Sequence, residues 1–121
     1  MATILTVDDS PSVRQMIKLV LGPAGHDVSE AVDGAEGLAK AKTQRFDLVI
    51  TDLNMPVMNG VDFLRQLRQE PGGAAPVVVF CTVEADMEHI REALSSGADE
   101  YIMKPFDGDV IEAKFIEAGA L

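Results

Sequence analysis

An α/β fold built on a doubly wound, five-stranded parallel sheet is predicted for this 121-residue chain. Three observations predict it. Short apolar runs and amphipathic stretches alternate five times with short connections, the pattern of strands linked by helical crossovers. The clearest run, Pro76-Val77-Val78-Val79-Phe80-Cys81, is apolar throughout, as expected of a parallel strand covered on both faces. Right-handed crossovers leave few topologies, of which the flavodoxin-like order 2-1-3-4-5 with five helices is the expected one.

The elements follow in order. Ile4-Leu5-Thr6-Val7 is a first strand that runs into Asp8-Asp9. Ser10 and Pro11 read as the N-cap and first position of a helix, with Val13, Met16, Ile17, Val20 and Leu21 at helical spacing. Gly22-Pro23-Ala24-Gly25 stops it, and Asp27 to Val32 is a weaker second strand. Asp33-Gly34-Ala35-Glu36 resembles a capping box opening a helix that buries Leu38 and Ala39. Phe46 to Thr51 is the third strand. Asn59 caps a third helix reaching about Gln69, with Leu64 and Leu67 inward. After the loop Pro71 to Ala75 and the fourth strand comes a helix from about Glu84 to Ser96, with Ile90, Ala93 and Leu94 inward. Gly97 suits its left-handed C-terminal position. Asp99 to Met103 is a short fifth strand, and Asp107 caps a last helix with Val110, Ile111 and Phe115 on its apolar stripe.

The totals bound the function. The length suits one domain with one core, so residues 1–121 are expected to form a single unit with no effector domain. An apolar fraction of 47% and a charged fraction of 25% are those of an ordinary globular protein. No run is long enough to span a bilayer, and Met1-Ala2-Thr3 lacks the basic region of a secretory signal. The lone Cys81 fits a reducing cytoplasm and reads as a small buried hydrophobe. A net charge of −10 repels phosphate backbones, so nucleic acid is not expected among the partners.

In this topology the carboxyl ends of strands one, three, four and five share one edge, where open α/β sheets bind ligands. The residues there are Asp8 and Asp9, Asp52, Thr82 and Lys104. Three carboxylates in one cleft need a counter-charge. Mg²⁺, satisfied by a few carboxylates and waters, is the natural choice, and Mn²⁺ is an acceptable substitute. Asp52, facing out of a central strand, is placed to attack phosphorus and form an aspartyl phosphate. The metal and Lys104 would screen the incoming charge, and the Thr82 hydroxyl would bond a phosphoryl oxygen. Taken singly, Asp8-Asp9 suit a helix-entry pair and Asp52 a turn cap as well as a chemical role, while Thr82 better suits a β-branched strand end and Lys104 a solvated lysine. Their joint placement favours the chemical reading.

These residues resemble the marks of response-regulator receiver domains of the single-domain, CheY-like kind. The marks are Val7-Asp8-Asp9, the run from Asp52 through Leu53-Asn54-Met55-Pro56-Val57-Met58-Asn59 to Gly60, then Thr82, and Lys104-Pro105-Phe106. The resemblance covers essentially the whole chain. It implies Asp52 as phosphoacceptor and Asp8 and Asp9 as the acid pair holding Mg²⁺, with the backbone carbonyl of Asn54 completing the protein ligands. Lys104 would contact the phosphoryl group. Thr82 would pull in after phosphorylation and Tyr101 swing inward behind it, altering protein binding on the face of helix four, strand five and helix five. The implied donor is a phosphohistidine on a histidine kinase or phosphotransfer protein, and the output is binding to a downstream protein. The chain would promote its own phosphorylation and hydrolysis without being a turnover enzyme.

Val83 departs from the family's usual Ala and is expected to slow small phosphodonors. His26 and His89 have no partners at metal spacing and read as surface residues. Arg14 and Lys18 form a basic strip beside the cleft that is either a kinase contact or simply a solvated helix face. Other readings stay open: a chemotaxis pathway, a relay intermediate or phosphate sink, or a receiver-like module working without phosphate. A flavin- or nucleotide-binding domain would want a Gly-rich loop where Asp8-Asp9 stand. A phosphatase using an aspartyl phosphate would want Asp in place of Asn54.

Overall fold

The computed structural model describes residues 3–23, 25–52, 57–70, 76–82 and 87–103, with Val110 and Ala113; the side chains of residues 82 and 87–89 lie outside that description. Strands β1 (Thr3–Val7), β2 (Asp27–Ala31), β3 (Leu48–Asp52), β4 (Val77–Thr82) and β5 (Glu100–Met103) alternate with helices α1 (Pro11–Leu21), α2 (Gly34–Thr43), α3 (Gly60–Gln69) and α4 (Met87–Ser95). The strands form one parallel sheet in the order β2-β1-β3-β4-β5, as the alternation predicts. Of the fifth predicted helix, Val110 and Ala113 are described and both are helical. Asp107, Ile111 and Phe115 lie outside the described residues.

Successive side chains of a strand point to opposite faces, so the sheet sorts its apolar residues into two layers. Leu5, Val7, Val49, Val78 and Phe80 pack with Leu38 of α2, Phe63, Leu64 and Leu67 of α3, and Ile90 and Ala93 of α4. Ile4, Leu48, Ile50, Val79, Cys81 and Ile102 pack with Ile17 and Leu21 of α1, and Val13, Met16 and Val20 flank them. No helix of the described residues is long and apolar enough to cross a membrane.

Local chemistry explains most of the element ends. The Asp33 side chain accepts from the Glu36 N–H at 2.8 Å, and the Asn59 side chain accepts from the Asp62 N–H at 2.9 Å, each satisfying an otherwise orphaned helix donor. Gly97, after α4, has φ +115°, a conformation that only glycine adopts without strain. Ser10 holds the N-cap position of α1, but its side chain makes no cap bond. Asp8 ties that turn down instead, its Oδ1 accepting from the Ser10 N–H at 2.9 Å.

The structure departs from the sequence expectations at several places. β3 starts two residues later than expected and includes Asp52, while Phe46 is buried from the preceding turn. β2 stops at Ala31, and Val32 is exposed. β4 begins after Pro76, which has no N–H to give to a ladder. β5 begins after Asp99, whose side chain instead accepts from the Val78 N–H at 2.9 Å. Ala39 is exposed and Leu94 is 41% exposed. In α2 the buried contact belongs to Gly37, where a Cβ would lie 3.0 Å from Val7 Cγ2 and 3.2 Å from Phe63 Cε1. In α4, Ile90 and Ala93 fill the inward stripe, leaving Leu94 on its flank.

Candidate functional site

Val7 and Thr51 are register partners on adjoining strands, so Asp8 and Asp52 occupy the next positions along β1 and β3. Ligand oxygens of Asp8, Asp9 and Asp52 all lie within 4.8 Å of one another. Asp8 is buried at 2% exposure, Asp52 is half-buried and Asp9 is exposed. The sequence reading that brought these three together is therefore met. Like charges at that range cost roughly 3 kcal/mol per pair at a surface-like dielectric, less where water screens them.

The donor set is all carboxylate oxygen, with one ligand facing solvent. Such a set fits a small hard divalent cation that keeps part of its water shell, Mg²⁺ or Mn²⁺, better than a soft metal. Asp8, Asp9 and Asp52 would hold it. Asn54, whose carbonyl the resemblance adds as a ligand, lies outside the described residues, and so does Lys104.

Thr82 is described through its backbone. It ends β4 opposite Met103, and Lys104 directly follows Met103 in the chain. Tyr101 sits on β5 opposite Phe80, half-buried against the α2–α4 layer, and its N–H donates to Glu100 Oε1 at 3.0 Å. The Thr51 hydroxyl donates to the Asp52 carbonyl at 3.1 Å, which steadies the backbone at the end of β3.

A supporting network beneath the acid pair was not foreseen from the sequence. Arg14, expected as a surface contact, is turned inward at 13% side-chain exposure. Its Nη1 donates to the Asp8 carbonyl at 2.5 Å and its Nε to Glu30 Oε1 at 3.3 Å. Lys18 Nζ reaches Glu30 Oε2 at 3.5 Å, and Lys40 Nζ donates to the Glu30 carbonyl. Three cationic side chains from two helices thus converge on the end of β2 beside the acid pair. The available signal was Glu30 itself, a charged residue near the end of a short strand. His26, read as a surface residue, is half-buried, with its backbone N–H donating to the Leu21 carbonyl at 3.3 Å. His89 lies in α4, its side chain outside the description.

A family profile described as the response regulator receiver domain matches residues 4–116. The DNA-binding response regulator MtrA of Mycolicibacterium smegmatis is 43% identical over 103 residues, which are 85% of this chain and 44% of that protein. The chain thus spans less than half the length of such curated relatives. Among solved structures, the chemotaxis response regulator CheY4 of Vibrio cholerae has a TM-score of 0.92 at 38% identity, covering 98% of both chains. The receiver domain of the sensor histidine kinase PA1611 of Pseudomonas aeruginosa, described with a magnesium ion coordinated in its active-site cleft, has a TM-score of 0.86 at 27% identity over 98% of both chains.

One expectation is corrected by these relatives. Nucleic acid was set aside on the charge of −10, yet MtrA is named as a DNA-binding regulator. The charge argument concerns the surface of these 121 residues and says nothing about the larger part of such a relative beyond the match.

Proposed function

The chain belongs to the response-regulator receiver family, and from that premise we propose that it is a phosphorylation-operated switch with Asp52 as the acceptor. The observation that carries this reading is the convergence of Asp8, Asp9 and Asp52 at the ends of two central strands.

An Asp52 carboxylate oxygen attacks the phosphorus of a phosphohistidine donor. The P–N bond breaks, its electron pair leaves with the imidazole nitrogen, and an acyl phosphate forms. Water later adds to phosphorus and breaks the bond to Asp52, resetting the switch. Asp8, Asp9 and Asp52 would hold Mg²⁺, with the Asn54 carbonyl assigned as a further ligand by the family resemblance; when bound, the ion would supply positive charge to offset that of the transferring oxygens. We assign to Lys104 a second positive charge on the phosphoryl group and to Thr82 a hydroxyl donor once the group is in place. The phosphoryl group brings about −1.5 to −2 of charge and three acceptor oxygens. That gives Thr82 a reason to move toward the cleft and Tyr101 a reason to follow. Leu94, Met103 and Val110 remain more than a third exposed on α4, the end of β5 and the following helical segment. Those exposures support a protein-docking output on that face.

Two pathways are supported by different relatives. Likeness to CheY4 over nearly the whole of both chains favours a chemotaxis-type output. Identity to MtrA favours a switch that serves a DNA-binding regulator. The deciding experiment for the switch itself is incubation with acetyl phosphate and Mg²⁺, read by intact mass. Wild type is expected to gain one phosphoryl group and Asp52→Asn none. Equal incorporation in both proteins would place the acceptor elsewhere.

A further inference from the structure

We propose that Arg14 is a positioning residue for the acid pair Asp8-Asp9, an inference that rests on the Mg²⁺ reading above. Arg14 stands one turn into α1, where its N–H donates to the Ser10 carbonyl at 3.2 Å. A helical side chain leans back toward the start of its helix, which for Arg14 is the turn carrying Asp8 and Asp9. Its Nη1 donates to the Asp8 carbonyl at 2.5 Å. That carbonyl belongs to the peptide joining Asp8 to Asp9. The peptide is planar, so a bond to its oxygen constrains the residues on both sides of it. The Asp8 N–H donates to the Ala31 carbonyl at 3.1 Å, and Asp8 Oδ1 accepts from the Ser10 N–H at 2.9 Å. Arg14 adds a third hold, on the main chain that carries two of the three clustered carboxylates.

Glu30 aims the guanidinium. It is the register partner of Thr6 and stands two positions beyond Val28, which packs in the α1 layer, so strand alternation turns Glu30 toward α1. Its Oε1 accepts from Arg14 Nε at 3.3 Å, and its Oε2 meets Lys18 Nζ at 3.5 Å. Lys40 Nζ donates to the Glu30 carbonyl and steadies the strand there. A guanidinium is rigid and planar, so the bond at Nε sets the direction in which Nη1 reaches Asp8. The Arg14 side chain is 13% exposed against 56% for Lys18, so water competes least for the arm that reaches the acid pair. Charge and position make opposite demands here. A positive charge beside a cation site opposes Mg²⁺, so removal of the Arg14 charge alone would tighten binding. Loss of the hold on the Asp8–Asp9 peptide weakens it instead. The sign of the change therefore separates the two roles.

The test compares Arg14→Ala, Glu30→Gln, Glu30→Ala and Lys42→Ala in the same chain. Lys42, paired with Glu70 at 3.6 Å, controls for the loss of one positive charge. Glu30→Gln and Glu30→Ala lose the same negative charge, but the amide keeps an acceptor oxygen for Arg14 Nε. Three quantities are read: the Mg²⁺ dissociation constant by titration calorimetry, the initial rate with acetyl phosphate by intact mass, and Tm in EDTA. For Arg14→Ala we expect Mg²⁺ binding to weaken about tenfold, and the rate at subsaturating Mg²⁺ to fall with it. Glu30→Ala binds Mg²⁺ about threefold more weakly than Glu30→Gln, and this pair decides the matter if Arg14→Ala does not fold. Lys42→Ala stays within about twofold of wild type. Wild-type or tighter Mg²⁺ binding in Arg14→Ala, equal affinity in the two Glu30 variants, or the same loss in Lys42→Ala would overturn the inference. If the wild type itself takes up no Mg²⁺, the metal reading fails first, and this inference falls with it.

Discussion

The two ends of the same sheet use aspartate in opposite ways. At the amino-terminal end of the strands, carboxylates meet donors. Asp47 Oδ2 accepts from the Thr3 N–H at 2.8 Å. Asp99 Oδ2 accepts from the Val78 N–H at 2.9 Å and from Arg68 Nη2 at 3.2 Å. Arg68 also donates to the Pro76 and Gly97 carbonyls, both at 2.8 Å, joining α3 to the segments that enter β4 and β5. At the carboxyl-terminal end, Asp8, Asp9 and Asp52 crowd within 4.8 Å. Close by, the Thr6 hydroxyl is buried with no hydrogen-bond partner among the described residues. At one end each carboxylate meets its donor separately; at the other, three carboxylates are gathered into one cluster even though Asp8 Oδ1 also accepts from the Ser10 N–H. Residues kept for binding often leave the folded state less stable than it could be.

The contrast can be broken in graded steps. Addition of Mg²⁺ at about one hundred times its dissociation constant should stabilise the wild type by about 2.7 kcal/mol. The gain should largely vanish in Asp52→Asn, and thermal melts with and without the ion measure it. Arg68→Ala, at the opposite end, should cost about 2 kcal/mol because three carbonyl or carboxylate oxygens lose a charged donor. Its Mg²⁺ affinity should stay at the wild-type value; a joint loss of stability and affinity would show that the two ends are not independent. Asp8→Asn should raise metal-free stability by about 1 kcal/mol. It removes one of three like charges, while an amide oxygen still accepts from Ser10. Urea unfolding in EDTA reads this, and a loss would mean that the acid cluster is not under repulsion. Thr6→Val should add about 0.5–1 kcal/mol by removing a buried hydroxyl that has no partner among the described residues, measured by the same unfolding curve.

Much of this fold was legible in the sequence, because topology and caps depend on local rules. Asp33 and Asn59 were identifiable as caps from their place before apolar periodicity, and both bonds are present. The strand order followed from alternation and handedness, and the acid cluster followed from the strand order. The misreadings share one cause. Hydrophobicity was credited to Ala39 and Leu94, while α2 packs against Val7 of the sheet too tightly at Gly37 to admit a side chain easily, and glycine carries no apolar signal. Arg14 and Lys18 were seen as a helix-surface pair because their partner, Glu30, lies on another element. Contacts between elements distant in sequence leave no periodic trace. The positions assigned to Lys104 and Asn54 rest on resemblance and on strand order, since both lie outside the described residues.

The half-buried ring of Tyr101 has a practical consequence. The chain contains no tryptophan and a single tyrosine, so its near-ultraviolet emission comes almost wholly from that one phenol on β5. Light absorbed near 280 nm is thus a built-in optical gauge of the edge strand, with no label to attach. A change in its intensity or anisotropy when acetyl phosphate is added would time the motion of the ring in the unmodified molecule.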